Sequence, residues 1–172
     1  MKLLKKAVDR FLELVVSLLF LVMVGVTTWQ VITRYILHNP SSITEEFVKF
    51  SLIWLSLLSA AYVVGKNGHI SITLLSSRLV ENKRIIVDIL IQISFLAFGS
   101  IVMMYGGIKT VLMTVDQISP ALHLSMGLIY LSLPISGGLF IFYSILNILD
   151  LIESKKQLLS HKIILNKKRV KI

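Results

Sequence analysis

The side chains able to do chemistry gather in one short stretch of this chain. Arg34-Tyr35 is followed by nine residues holding one proline, and then by Glu45-Glu46. Trp54 lies two helical turns further on, and Gly68-His69 closes the next apolar stretch. Everything around this cluster reads as lipid-embedded helix, where an unpaired Asp, Lys or Arg at a helix centre costs about 2.5 to 3.5 kcal/mol. An arginine and two glutamates at one membrane edge therefore read as groups that fix a geometry or hold a partner. Arg34, Glu45, Glu46 and Trp54 are the candidates at that edge, and Gly68 and His69 are the candidates at the opposite one.

Other chemistry finds no foothold. The absence of cysteine excludes disulfides, thiolate metal sites and cysteine nucleophiles. His38, His69, His123 and His161 fall in expected loops, span ends or the tail, whereas a membrane haem needs histidines facing each other inside a bundle. The sequence has no G-x-x-x-x-G-K-[ST] phosphate loop. Proton relays and ion pathways call for an acidic residue in mid-span, and none of the apolar runs supplies one. We therefore expect no catalytic residue, no cofactor and no metal site, and a chain that is not an enzyme.

The elements that must carry the cluster follow from length and hydropathy. The 172 residues are 55% hydrophobic, with a mean hydropathy of +0.83. Uncharged runs extend from Leu14 to Thr33, Phe50 to Gly65, Ile89 to Ile108 and Gln117 to Leu149. A helix needs about 20 residues to cross roughly 30 Å of hydrocarbon. The second run reaches that length if it extends to Phe47 and Lys49 snorkels to the interface, and the fourth shortens if Pro120 and His123 delay its helix to about Leu124. The fold class is thus an all-α membrane protein with four transmembrane helices, spanning about residues 12–34, 46–65, 87–109 and 124–149. Residues 1–153 form the membrane domain and 154–172 a basic tail. The N-terminus resembles a signal peptide, but its apolar run is long and no A-x-A-like site follows, so it is read as a retained helix.

Charge sets the orientation. Of the 18 basic residues, only Arg34, Lys49 and Lys109 lie on the Glu45-Glu46 side. The other fifteen occupy the N-terminus, the loop between spans two and three, and the tail. The positive-inside rule then puts both termini in the cytoplasm and the cluster outside. The net charge of +9 is juxtamembrane, where each basic residue gains about 1 kcal/mol near anionic lipid. Anionic lipid at the cytoplasmic face accounts for it without a nucleic-acid partner.

Local rules give the cluster a structural role. Asn39-Pro40-Ser41-Ser42 reads as a turn, Ser42 or Thr44 as the cap of the next helix, and Glu45 and Glu46 as first-turn acids that suit its dipole. Glu45 and Lys49 are spaced to pair, and Arg34 lies within reach of Glu45 or Glu46. Small residues at Ser56/Ala60, Ala61/Gly65, Ser132/Ser136, Gly99, Gly106 and Gly107 suit close helix packing. Pro134 should free the Tyr130 carbonyl and bend span four. Ile72, Leu75 and Leu79 recur at helical spacing, which predicts a short interfacial helix between spans two and three.

The ordered set Trp29-Gln30-Val31-Ile32-Thr33-Arg34-Tyr35, Pro40, Glu45-Glu46, Trp54, Ala60-Ala61, Gly68-His69-Ile70 and Ser119-Pro120-Ala121-Leu122 resembles the DctQ-like small membrane subunit of tripartite ATP-independent periplasmic (TRAP) transporters. The resemblance covers roughly residues 10 to 150. Where that family often carries an acidic residue shortly after the Gly-His pair, this chain has Thr73. The resemblance implies a bacterial inner-membrane protein whose partners are a large multi-span permease subunit and a periplasmic substrate-binding protein. It implies a non-catalytic subunit bracing the large one during ion-coupled symport of an organic anion, often a carboxylate. A small four-helix subunit of an unrelated complex, such as a quinone-linked membrane enzyme, is the alternative.

Overall fold

The computed structural model describes the backbone of residues 2–66 and 81–169, and the side chains of residues 3–66 and 85–153. It contains four helices long and apolar enough to cross a membrane: Leu3–Tyr35, Ser42–Gly65, Ile85–Thr114 and Met126–Glu153, called spans one to four below. The expected interfacial helix and both inner-edge candidates, Gly68 and His69, lie outside the described residues.

The first helix, Lys2–Tyr35, has 34 residues, about 51 Å at 1.5 Å per residue. It is longer than a perpendicular crossing needs, so it tilts or projects. The second starts one residue earlier than the sequence rules suggest. Ser41 is its N-cap, with Oγ accepting from the Thr44 N–H at 3.5 Å while the Thr44 hydroxyl donates back to the Ser41 carbonyl at 2.9 Å. Ser42 and Thr44 thus lie inside the helix. Ser41 precedes it in the extended backbone that a cap requires.

Span three is not uniform. Helix Glu81–Ala97 passes into a π-helical segment, Phe98–Gly106, before returning to α-helix over Gly107–Thr114. Gly99, Gly106 and Gly107 weaken the α preference here, and the wide turn sits where span four comes closest. A Cβ on Gly99 would meet Phe140 Cβ at 2.9 Å, and one on Gly107 would meet Leu133 and Pro134 at 2.9 Å. Gly137 of span four faces back, with Met103 Cβ at 2.9 Å and the Gly99 carbonyl at 3.0 Å from the position of its missing methyl. Gly106 takes no part, since its added Cβ would meet only its own helix at 3.8 Å.

Span four is the hub of the bundle. Its helix breaks at Leu131, between Met126–Tyr130 and Ser132–Arg169, three residues before Pro134. The second piece continues past Glu153, so the tail expected after residue 153 is helical backbone as far as Arg169. Ser132, Ser136, Tyr143, Ser144 and Asn147 are all buried along one side of it. That face is small or polar because neighbouring backbones approach closely there, and lipid tails reward tight packing rather than hydrophobicity. Leu12, Leu58, Ala61, Val64, Met103, Phe140 and Tyr143 make the apolar core between the spans.

Candidate functional site at the two ends of the bundle

At one end of the bundle, the connection into span four folds as a small hairpin. The Ser119 N–H donates to the Leu124 carbonyl (2.9 Å) and the Met126 N–H to the Gln117 carbonyl (2.8 Å). Pro120 starts the tip, and His123 closes it with a left-handed φ of 52°. A hairpin tip in this position leaves two backbone donors, those of Ala121 and Leu122, without a partner in the hairpin. Buried or half-buried N–H groups need one. Glu46 provides it: its Oε2 accepts from Ala121 N–H at 2.9 Å and from Leu122 N–H at 2.6 Å. Bonds to an ionised acceptor are about twice as strong as neutral ones, so one carboxylate pins the hairpin to the start of span two.

The two glutamates therefore do different things. Glu45 accepts from Lys49 Nζ at 2.8 Å, one helical turn on, and lies 3.5 Å from Arg34 Nη2. All three side chains are well exposed, and exposed pairs of this length contribute little. Arg34 is brought to Glu45 and not to Glu46. Trp54 lies deeper, on the wall of an apolar groove of about 450 Å³ formed with Val15, Leu18, Phe50, Leu122 and Leu128. The hairpin held by Glu46 thus supplies the rim of the groove that Trp54 lines.

At the other end lies a polar network that the sequence reading did not single out. Asp9 is buried, its Oδ1 accepting from the Tyr143 hydroxyl at 2.7 Å and its Oδ2 from Lys66 Nζ at 3.0 Å. Lys5, one turn before Asp9, donates to Asn147 Oδ1 at 2.8 Å. Asn147 Nδ2 donates in turn to the Val64 carbonyl at 2.9 Å. That carbonyl is in the last turn of span two, where the regular helical pattern of acceptors and donors ends. Lys66 is the C-cap of that helix and also lies 5.3 Å from the centre of the Tyr62 ring. Its hydrogen bond to Asp9 raises the ammonium above its usual range, so Lys66 stays charged at any physiological pH. The network joins spans one, two and four. Its signal in the sequence is the pair Tyr143 and Asn147, polar at i and i+4 on one face, opposite an acid set among juxtamembrane lysines.

Gly65 completes that end. A Cβ there would fall 2.6 Å from the Tyr143 ring, so only glycine lets the ring cross the end of span two. Among the described residues, no group of three or more His, Asp or Glu side chains is arranged to hold a metal.

Comparison with known proteins agrees with this architecture. Residues 23–154 match the family model of the tripartite ATP-independent periplasmic transporters, DctQ component. The chain is 25% identical over 154 residues to the sialic acid TRAP transporter small permease protein SiaQ of Vibrio cholerae, covering 89% of this chain and 88% of that protein. It is 25% identical over 137 residues to a putative TRAP transporter small permease protein of Haemophilus influenzae, covering 80% and 82%. It is 30% identical over 126 residues to the isethionate TRAP transporter permease protein DctMQ of Oleidesulfovibrio alaskensis. That match takes in 69% of this chain but 20% of the much longer relative. With four helices long and apolar enough to span a membrane among the described residues, and a family match over most of its length, the chain belongs to the DctQ family of TRAP transporter small membrane subunits.

Proposed function

We propose that this chain braces the large transport subunit of a TRAP system during uptake of an organic anion delivered by a periplasmic binding protein. The observation that carries the proposal is the exposure of span one. Only 6% of the residues in its most apolar window are buried, against 39% in span four. A long apolar helix that packs so little against its own chain offers a face to another membrane protein. Phe11, Leu14, Leu18 and Leu21 are exposed on it. The length of the Oleidesulfovibrio relative, named as a permease DctMQ, supports a partner of that kind, since this chain matches about a fifth of it.

In this reading both termini are cytoplasmic and the Glu46 end faces the periplasm. Arg34, Glu45 and the hairpin held by Glu46 then form part of the surface that meets the binding protein. Two relatives are named for sialic acid, a carboxylate, and isethionate, a sulfonate, which favours organic anions as the class of substrate. Coupling to an ion gradient would reside in the large subunit. Anionic lipid accompanies the basic juxtamembrane residues on the cytoplasmic side.

The test is co-expression with a neighbouring multi-span permease and its binding protein. The expected result is co-purification of the two membrane subunits and uptake that requires all three components. Full uptake by the large subunit in the absence of this chain would overturn the proposal.

A further inference from the structure

We propose that the end of the bundle built from Lys5, Asp9, Lys66, Tyr143 and Asn147 binds the phosphate of an anionic phospholipid. The proposal refines the general attraction of basic residues to lipid stated above, and does not depend on the transporter reading. Three features separate this place from a diffuse basic surface.

The first is a fixed frame. The Asp9 carboxylate, held by the buried Tyr143 hydroxyl, places Lys66 Nζ, while Asn147, held by the Val64 carbonyl, places Lys5 Nζ. One ammonium group comes from span one and the other from the C-cap of span two, with Lys66 Nζ 3.0 Å from Asp9 Oδ2. The second is charge. Two lysines against one carboxylate leave a net positive charge, and the exposed Lys6 and Arg10 add to it from the same helix. The third is donor capacity. An ammonium has three N–H donors, and among the described residues each of these two gives one to the partner named above. The Lys66 side chain is 47% exposed, with the Tyr62 ring 5.3 Å from its Nζ.

Basic pockets between membrane helices suit phospholipid headgroups, and this network lies beside the start of span one and the end of span two. A free phosphate shares the chemistry, but it lacks acyl chains to lie along the apolar flank of span one, where Leu4 and Phe11 are exposed.

The experiment uses the full chain in neutral detergent, with thermal unfolding and native mass spectrometry read after adding phosphatidylglycerol, cardiolipin, phosphatidylcholine or inorganic phosphate. Phosphatidylglycerol and cardiolipin should raise the unfolding temperature and stay bound, and phosphatidylcholine should not. Lys5→Gln and Lys66→Gln should each weaken the anionic lipid about fivefold, the effect of one lysine near a headgroup. Removing four tail charges at Lys155, Lys156, Lys167 and Lys168 should weaken it less.

An unchanged lipid response in both lysine variants, with loss in the tail variant, would overturn the site while leaving the diffuse attraction intact. An equal response to phosphatidylcholine would overturn both. Protection by inorganic phosphate equal to that by lipid would also overturn the lipid assignment.

Discussion

Removing the Glu46 carboxylate should loosen one hairpin and leave the rest of the bundle in place. In the structure a single oxygen accepts the Ala121 and Leu122 N–H groups at 2.9 and 2.6 Å. Hydrogen bonds to a charged group contribute about 1.5 to 3 kcal/mol each. Ala121 and Leu122 are only half-buried, so water replaces part of what truncation removes. A combined loss near the lower bound, about 2 to 3 kcal/mol, is the reasoned value. At 1.36 kcal/mol per decade this is about a 30- to 150-fold faster exchange of those two amides in Glu46→Ala, read by hydrogen–deuterium exchange. Glu46→Gln keeps a neutral acceptor of about half the strength, which leaves roughly a 5- to 12-fold acceleration. Glu45→Gln, one residue away with its partners at Lys49 and Arg34, should leave both amides unchanged. Unaltered exchange at Ala121 and Leu122 in Glu46→Ala would refute the reasoning, as would equal acceleration by Glu45→Gln.

Other expectations follow from the packing. Gly137→Ala drives a methyl to 2.9 Å from Met103 Cβ and 3.0 Å from two backbone atoms, and should lower stability by about 1 to 3 kcal/mol in detergent unfolding. Gly138→Ala, whose methyl would meet only a flexible Met104 end at 3.5 Å, should be neutral or stabilising by up to about 1 kcal/mol. Tyr143→Phe deprives the buried Asp9 of one donor while Lys66 remains, and should cost about 1 to 3 kcal/mol in the same assay. Arg34→Ala breaks a 3.5 Å exposed pair and should leave the unfolding temperature within scatter.

The sequence alone determined the class and the number of spans, because a helix in lipid must satisfy its backbone internally, and the necessary length of apolar chain is visible in one dimension. It also marked where charge collects, and the small residues Gly99, Gly107, Ala61 and Gly65 that let helices touch. It left three things to the tertiary structure. Glu45 and Glu46 are identical in type and adjacent in sequence, yet one faces an exposed lysine and the other a hairpin 75 residues away. Which of them does so depends on helix rotation, and hydropathy does not encode that. The π-helical segment of span three, rich in glycine, lies where Gly137 of span four approaches Gly99 and Met103, and hydropathy does not show which helix meets it. In the sequence Asp9 is one acid among the juxtamembrane lysines. Only the crossing of spans one, two and four brings it to Tyr143 and Lys66, residues 134 and 57 positions away. Periodicity fixes which residues share a helix face, whereas the partner of a polar group is chosen by which faces meet.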